Sequence, residues 1–206
     1  MNQQQKYESV ICRFIQGAPE SLYDIGVGPK TEWRTLGGKY PRMRVFGCEP
    51  HPIQYAKLLK AEFPGPLAQV AIGEQEGVAT MHYATHDLKV ASLFPVPYAN
   101  ATCEVEVWSL DRFDVNRGAP ERILLWLDIE GSELSALRSG PRLLASGRVR
   151  WINLEERRGG HCPADGWCDP KVLHAFLTDH GYLRVADYNR HPTHQDAIYV
   201  HREEKR

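Results

Sequence analysis

Leu22-Tyr23-Asp24-Ile25-Gly26-Val27-Gly28-Pro29-Lys30-Thr31 is an apolar segment that runs through a two-glycine turn into a short helical candidate, Thr31 to Leu36. A glycine-rich turn between a strand and a helix lets backbone amides come close to a nucleotide-like ligand. The next apolar segment, Val45-Phe46-Gly47-Cys48, ends in the acid Glu49, 25 positions after Asp24. An acid at the end of the second strand, about 20 residues on, is where a ribose diol is bound in this kind of fold. The order strand, glycine turn, helix, strand, acid predicts an α/β nucleotide-binding layout, with Asp24, Gly26, Gly28 and Glu49 at its ligand.

The turn also discriminates between ligands. A dinucleotide fingerprint wants a third glycine three positions after the second, and Thr31 stands there. Pro29 removes a backbone donor that a pyrophosphate would use. The acidic Asp24 repels phosphate and suits a cation. These departures favour S-adenosylmethionine, which carries a sulfonium and an ammonium and no phosphate. They weigh against a nicotinamide-dependent oxidoreductase, the competing enzyme class. A binding module that keeps the pocket without chemistry is a third reading, because a fold does not determine a function.

The rest of the chain alternates strands and helices. Tyr7, Val10, Ile11, Phe14 and Ile15 recur at helical spacing, so residues 1–20 read as an N-terminal helix packed on the core. Ser21 to Ile25 reads as strand one. A helix is expected over Pro52 to Phe63 with Tyr55, Leu59 and Phe63 on its buried face, and a third strand over Leu67 to Ile72 ended by Gly73. Ile72 and Gly73 are therefore expected beside the ligand's base. Val78 to Tyr83 reads as a hairpin arm, and Cys103, Val105 and Val107 alternate with Glu104 and Glu106 as a half-exposed strand. The stretch His86 to Thr102 contains Pro95, Pro97 and Asn100. It reads as a loop at the acceptor site, with Lys89 and Ser92 as substrate contacts.

Ile123 to Ile129 is almost wholly apolar, as a parallel strand buried on both faces should be. It runs into Asp128, Glu130 and Glu133, and the acids Glu155 and Glu156 follow the next strand, Val149 to Leu154. Ligands bind outside the carboxyl ends of such strands, so Asp128, Glu130 and Glu155 are candidates for a general base, for holding a divalent metal, or for hydrogen-bonding substrate hydroxyls. Glu133 reads as a first-turn charge that favours the helix dipole, and the same reading stands as an alternative for Glu130. A helix over Lys171 to His180 is stopped by Gly181, and Tyr182 to Ala186 pairs antiparallel with Ala197 to Val200. The sum is a single doubly wound domain over residues 1–206, its sheet mostly parallel with an antiparallel C-terminal strand.

Those residues resemble the FkbM-type S-adenosylmethionine-dependent methyltransferases from about Leu22 to Val200. The matching pieces are Asp24-Ile25-Gly26-Val27-Gly28, Phe46-Gly47-Cys48-Glu49-Pro50-His51-Pro52, Ala71-Ile72-Gly73 with Gly77, and Ser109-Leu110-Asp111. To these are added Leu127-Asp128-Ile129-Glu130-Gly131-Ser132-Glu133 with Leu137, then Gly181-Tyr182. The resemblance implies a Rossmann-like methyltransferase fold, S-adenosylmethionine as cofactor, and O-methylation of a sugar or another small natural product. Two positions depart from the family pattern. Trp126 stands where the family commonly has lysine, and Pro29-Lys30 where its glycine turn commonly continues with Asn.

Composition limits the partners. The 206 residues carry a formal net charge of −1, without the basic excess of a nucleic-acid binder, so a small-molecule or carbohydrate acceptor is expected. Apolar runs are too short to cross a membrane, and the polar start Met1-Asn2-Gln3-Gln4-Gln5-Lys6 lacks a signal-peptide core, so a cytoplasmic protein is expected. The five cysteines form no disulfide framework. His161-Cys162 with Cys168-Asp169 offers zinc-type ligands at a spacing that is not a finger's, and reads as free thiols in an active-site loop.

Overall fold

The computed structural model describes residues 10–15, 17–29, 32–97, 99–115, 117–118, 120–157 and 169–205. A seven-stranded sheet forms its centre, in the order β10 (Tyr182–Tyr188), β11 (His194–His201), β9 (Val149–Arg157), β8 (Ile123–Leu127), β1 (Ser21–Ile25), β2 (Arg44–Cys48) and β3 (Leu67–Ala68). The run from β9 to β3 is parallel, and β11 pairs antiparallel with both β9 and β10. The fold expected from the sequence is therefore the fold observed.

Strand alternation explains why both faces are covered. Tyr23, Ile25, Leu125, Leu127, Ile152 and Leu154 point into one core, where α3 (Leu110–Val115), α4 (Glu133–Arg138), α5 (Pro141–Ala145) and α6 (Pro170–Asp179) pack. Leu22, Val45, Leu124, Trp126 and Trp151 point into the other. There they meet Trp33 and Leu36 of α1 (Glu32–Lys39), Leu58 of α2 (Pro52–Lys60), and Ile11 and Ile15. Residues 10–14 are helical, and the Trp151 indole donates to the Phe14 carbonyl at 3.2 Å. The start of the expected N-terminal helix, residues 1–9, lies outside the described residues.

Three expectations are corrected. The stretch Leu67 to Ile72 is not one strand. Leu67 and Ala68 pair with Gly47 and Cys48 in the main sheet, while Ala71 and Ile72 form β4 and pair with Val107 and Trp108 in a second sheet. That second sheet has the order β4 (Ala71–Ile72), β7 (Ala101–Trp108), β5 (Gly77–Ala84), β6 (Asp87–Ser92). His86 to Thr102 is accordingly not all loop. Asp87–Ser92 folds back antiparallel on β5, and the prolines fall after it, in the connection to β7. The α2 helix ends at Lys60 and turns Gln54 and Leu58 inward, leaving Leu59 55% exposed. Its start explains the rotation. Pro52 opens the helix and the His51 ring nitrogen Nδ1 accepts the Ile53 N–H, so the inward i, i+4 pair falls one residue before the one expected.

The chain leaves β1 through β2 to β3, then returns to β8 on the other side of β1. The order reverses between β1 and β8, and an open α/β sheet binds its ligand at the carboxyl ends of the strands at that reversal. No helix of the described residues is long and apolar enough to cross a membrane.

Candidate active site

The cleft at this reversal is built first by backbone. Ile25 and Leu127 are register partners in β1 and β8, and the Asp128 N–H donates to the Ile25 carbonyl at 3.1 Å. The two strands thus end in turns that press on each other. A Cβ at Gly26 would lie 2.3 Å from the Asp128 carbonyl oxygen and 2.7 Å from Ile129 Cγ2, and Gly26 has φ +81°. Only glycine fits that crossing. At Gly28 the demand differs: φ is +55°, yet a Cβ would meet nothing nearer than the Gly26 oxygen at 3.9 Å. Gly28 faces open space in the cleft wall.

Glu49 is 5% exposed and fixed by two backbone donors, Gly28 N–H to Oε2 at 2.7 Å and His51 N–H to Oε1 at 2.8 Å. Burial pushes its pKa up, and the two N–H groups work against that shift. Each oxygen keeps a lone pair for a ligand. Asp24 is buried and lies in register with Gly47 and Trp126. Trp126 packs into the core cluster that also holds Val27 and Trp33.

The cleft is lined by Gly26, Gly28, Glu49, Ile72, Asp128 and Glu130 of the residues singled out from sequence. Asp24, Gly73, Ser92 and Glu155 do not line it. Gly73 borders an adjoining groove with Ser135 and Arg138, which shares Leu93 and Ser132 with the cleft. Ser92 is 1% exposed; its hydroxyl donates to the Glu130 carbonyl at 2.8 Å and accepts the Phe94 N–H at 3.1 Å. That arrangement makes it a support for the Glu130 turn rather than an open contact for an acceptor. Lys89 lies on β6, its side chain outside the described residues, as are His161, Cys162 and Cys168.

The carboxylates converge. Asp128, Glu130 and Glu155 each offer an oxygen, and these oxygens all lie within 4.8 Å of one another. Glu130 adopts φ +50°, a left-handed backbone unusual for a residue with a side chain, just before Gly131 at φ +100°. Glu133 holds this turn in shape. Its Oε1 accepts the N–H groups of Ile129 and Gly131, each at 3.2 Å. Its pKa is pushed up to about 8 by burial, with the negative charge of Glu155 adding to the effect. The first-turn dipole reading of Glu133 is thus incomplete, because the carboxyl reaches back to the turn.

Sequence reasoning missed the opposite wall. Met81 from β5, Ala91 from β6 and Leu93 just after it line the cleft, with Val70. The hairpin arm was legible, but not the face it turns to the cleft. Arrangement and fold together define a Rossmann-like α/β domain with its cleft at the strand reversal.

The comparisons agree. A family model described as the methyltransferase FkbM domain matches residues 34–184, and the chain belongs to that family. No curated protein matches the chain. Among solved structures it is similar to the FkbM methyltransferase of Methylobacillus flagellatus KT, with TM-score 0.60 and 18% identity over 92% of this chain. This chain spans 45% of that one's length. It is also similar to the magnesium protoporphyrin IX methyltransferase of Synechocystis PCC 6803 with bound S-adenosylmethionine. There the TM-score is 0.50 and the identity 14%, over 96% of this chain and 79% of the other. A fibrillarin/Nop5p complex gives TM-score 0.52 and 11% identity, over 94% of this chain and 79% of the other. At these identities the likeness is one of fold.

Proposed function

We propose that this chain binds S-adenosylmethionine in the β1/β8 cleft and methylates a hydroxyl of a sugar or another small molecule. The observation that carries the reading is Glu49, fixed by Gly28 and His51 at one wall of a cleft whose other wall bears Asp128. The bound methyltransferase of Synechocystis supplies the cofactor analogy.

The residues present fit this cofactor. Glu49 would take the ribose hydroxyls, and Ile72 would lie along the adenine with Gly73 behind it. Gly26 and Gly28, with Asp24 beneath them, would shape the methionine end. A bulky β-carbon is absent at Gly28, where the wall is open. The cofactor supplies a sulfonium-activated methyl group. The chain's own part is to hold the acceptor oxygen in line with that methyl and to accept its proton, and positioning of this kind carries much of the rate. Asp128 is the first base, with Glu155 next and Glu130 beside them. In this reading residues 1–206 act as one methyltransferase domain in the cytoplasm. The net charge of −1 favours a small or carbohydrate acceptor over a nucleic acid.

The test is calorimetry with S-adenosylmethionine and with NAD, followed by methyl transfer to a panel of sugars and small hydroxylated acceptors. Binding of S-adenosylmethionine with turnover supports the reading. Binding without turnover on any acceptor leaves a binding module, and preference for NAD leaves an oxidoreductase.

A further inference from the structure

We propose that Asp128, Glu130 and Glu155 form a site for a hard divalent cation, Mg²⁺ or Mn²⁺, whose open positions receive oxygens of the acceptor. The purpose of the site rests on the methyl-transfer reading, with the three carboxylates then serving as ligands in place of a direct base; the binding of the ion does not.

The geometry comes from two elements. Asp128 and Glu130 sit on the turn after β8, and Glu155 comes from the neighbouring parallel strand β9. Their carboxylate oxygens lie within 4.8 Å of one another, close enough to share a single ion. Ions of this class take oxygen ligands at about 2.0–2.6 Å, so oxygens on opposite sides of one ion stand roughly 4–5 Å apart. All three donors are carboxylates, the set that selects Mg²⁺, Mn²⁺ or Ca²⁺ over zinc or copper. Three carboxylates from an octahedral set leave other positions to water or to substrate oxygens, as Mg²⁺ sites usually do.

Ser132 adds an independent observation, a buried polar group in the same cleft. It stands at the head of α4, where a serine ordinarily caps the helix, and it makes no capping bond. The residue is 2% exposed, its hydroxyl has no hydrogen-bond partner among the described residues, and it lines the same cleft as Asp128 and Glu130. A buried hydroxyl left without a partner is unfavourable by about 1–3 kcal/mol, and native structures rarely tolerate it. A water on the ion, or an acceptor hydroxyl held by it, would satisfy that group. The ion would also lower the pKa of a bound hydroxyl, which prepares the acceptor for attack.

The direct test is Mn²⁺ binding to chelator-treated protein with no cofactor present, followed by electron paramagnetic resonance of the free ion. One Mn²⁺ per chain is expected, displaced by Mg²⁺. Glu130→Gln, on the half-exposed turn, should weaken Mn²⁺ at least tenfold, and Asp128→Asn with Glu155→Gln should abolish its binding. Circular dichroism establishes that each variant is folded, and Glu130→Gln alone decides the matter if the double variant is not. A wild-type protein that leaves Mn²⁺ free, or variants that bind it undiminished, would overturn the site. Mn²⁺ binding with no S-adenosylmethionine binding would instead remove the functional reading and leave the ion site standing.

Discussion

The Glu49 carboxylate accepts the Gly28 N–H at 2.7 Å, which ties the acid ending β2 to the second glycine of the β1 turn. Two motif pieces far apart in sequence thereby become one wall. Charge-assisted hydrogen bonds from ribose hydroxyls to this acid would be worth roughly 1.5–3 kcal/mol each. Glu49→Ala should weaken S-adenosylmethionine at least tenfold in calorimetry with the protein still folded. Unchanged affinity in a folded variant would remove Glu49 from the site.

The two glycines should answer differently to alanine. At Gly26 the added carbon meets the Asp128 carbonyl oxygen at 2.3 Å in a left-handed backbone, so Gly26→Ala should lose at least about 2 kcal/mol in urea unfolding. At Gly28 the space is open, so Gly28→Ala carries only the backbone penalty of about 1 kcal/mol. Its larger effect should appear in cofactor affinity. Equal losses of stability at both positions would contradict the packing described for the turn.

Asp128→Asn keeps the size of the side chain and loses proton acceptance. Methyl-transfer rate should fall by roughly 10²–10⁴. A rate near that of the wild type, in protein resistant to chelator, would leave positioning alone as the source of catalysis.

Glu133 carries a pH signature. Its pKa is pushed from an ordinary 4.5 to about 8 in the folded chain. Between those values the folded state holds a proton that the unfolded state has released, so stability falls as pH rises from about 4.5 to about 8. Glu133→Gln keeps an oxygen to accept the Ile129 and Gly131 N–H groups and cannot ionise. In chelator-treated protein the variant should lose less stability than the wild type between pH 5 and pH 8, as followed by urea midpoints, with those pH values set by the shift above. Parallel pH profiles would show that the buried carboxyl is not the source.

Much of this was legible before the structure. Ile123 to Leu127 is apolar on both faces, and Leu22 to Ile25 is so apart from Asp24, as central parallel strands should be. The glycines and Glu49 carry their chemistry in type and spacing. The split between Ala68 and Ala71 was not legible, because it depends on β7 offering Val107 and Trp108 as partners more than thirty residues later. The same distance hid Met81, Ala91 and Leu93, apolar residues that read equally well as ordinary sheet core. The reading of Glu133 as a first-turn acid is correct but incomplete, because that local explanation is sufficient and spacing does not show that its carboxyl folds back onto the turn. Ser92 likewise reveals its partner, the Glu130 carbonyl, only once β6 is placed.

Calorimetric titration of the wild-type chain with S-adenosylmethionine, set beside the same titration with NAD, tests the central claim most directly. One S-adenosylmethionine bound per chain, with no heat from NAD, is the predicted result. Heat from NAD with none from S-adenosylmethionine would contradict the account of the cleft.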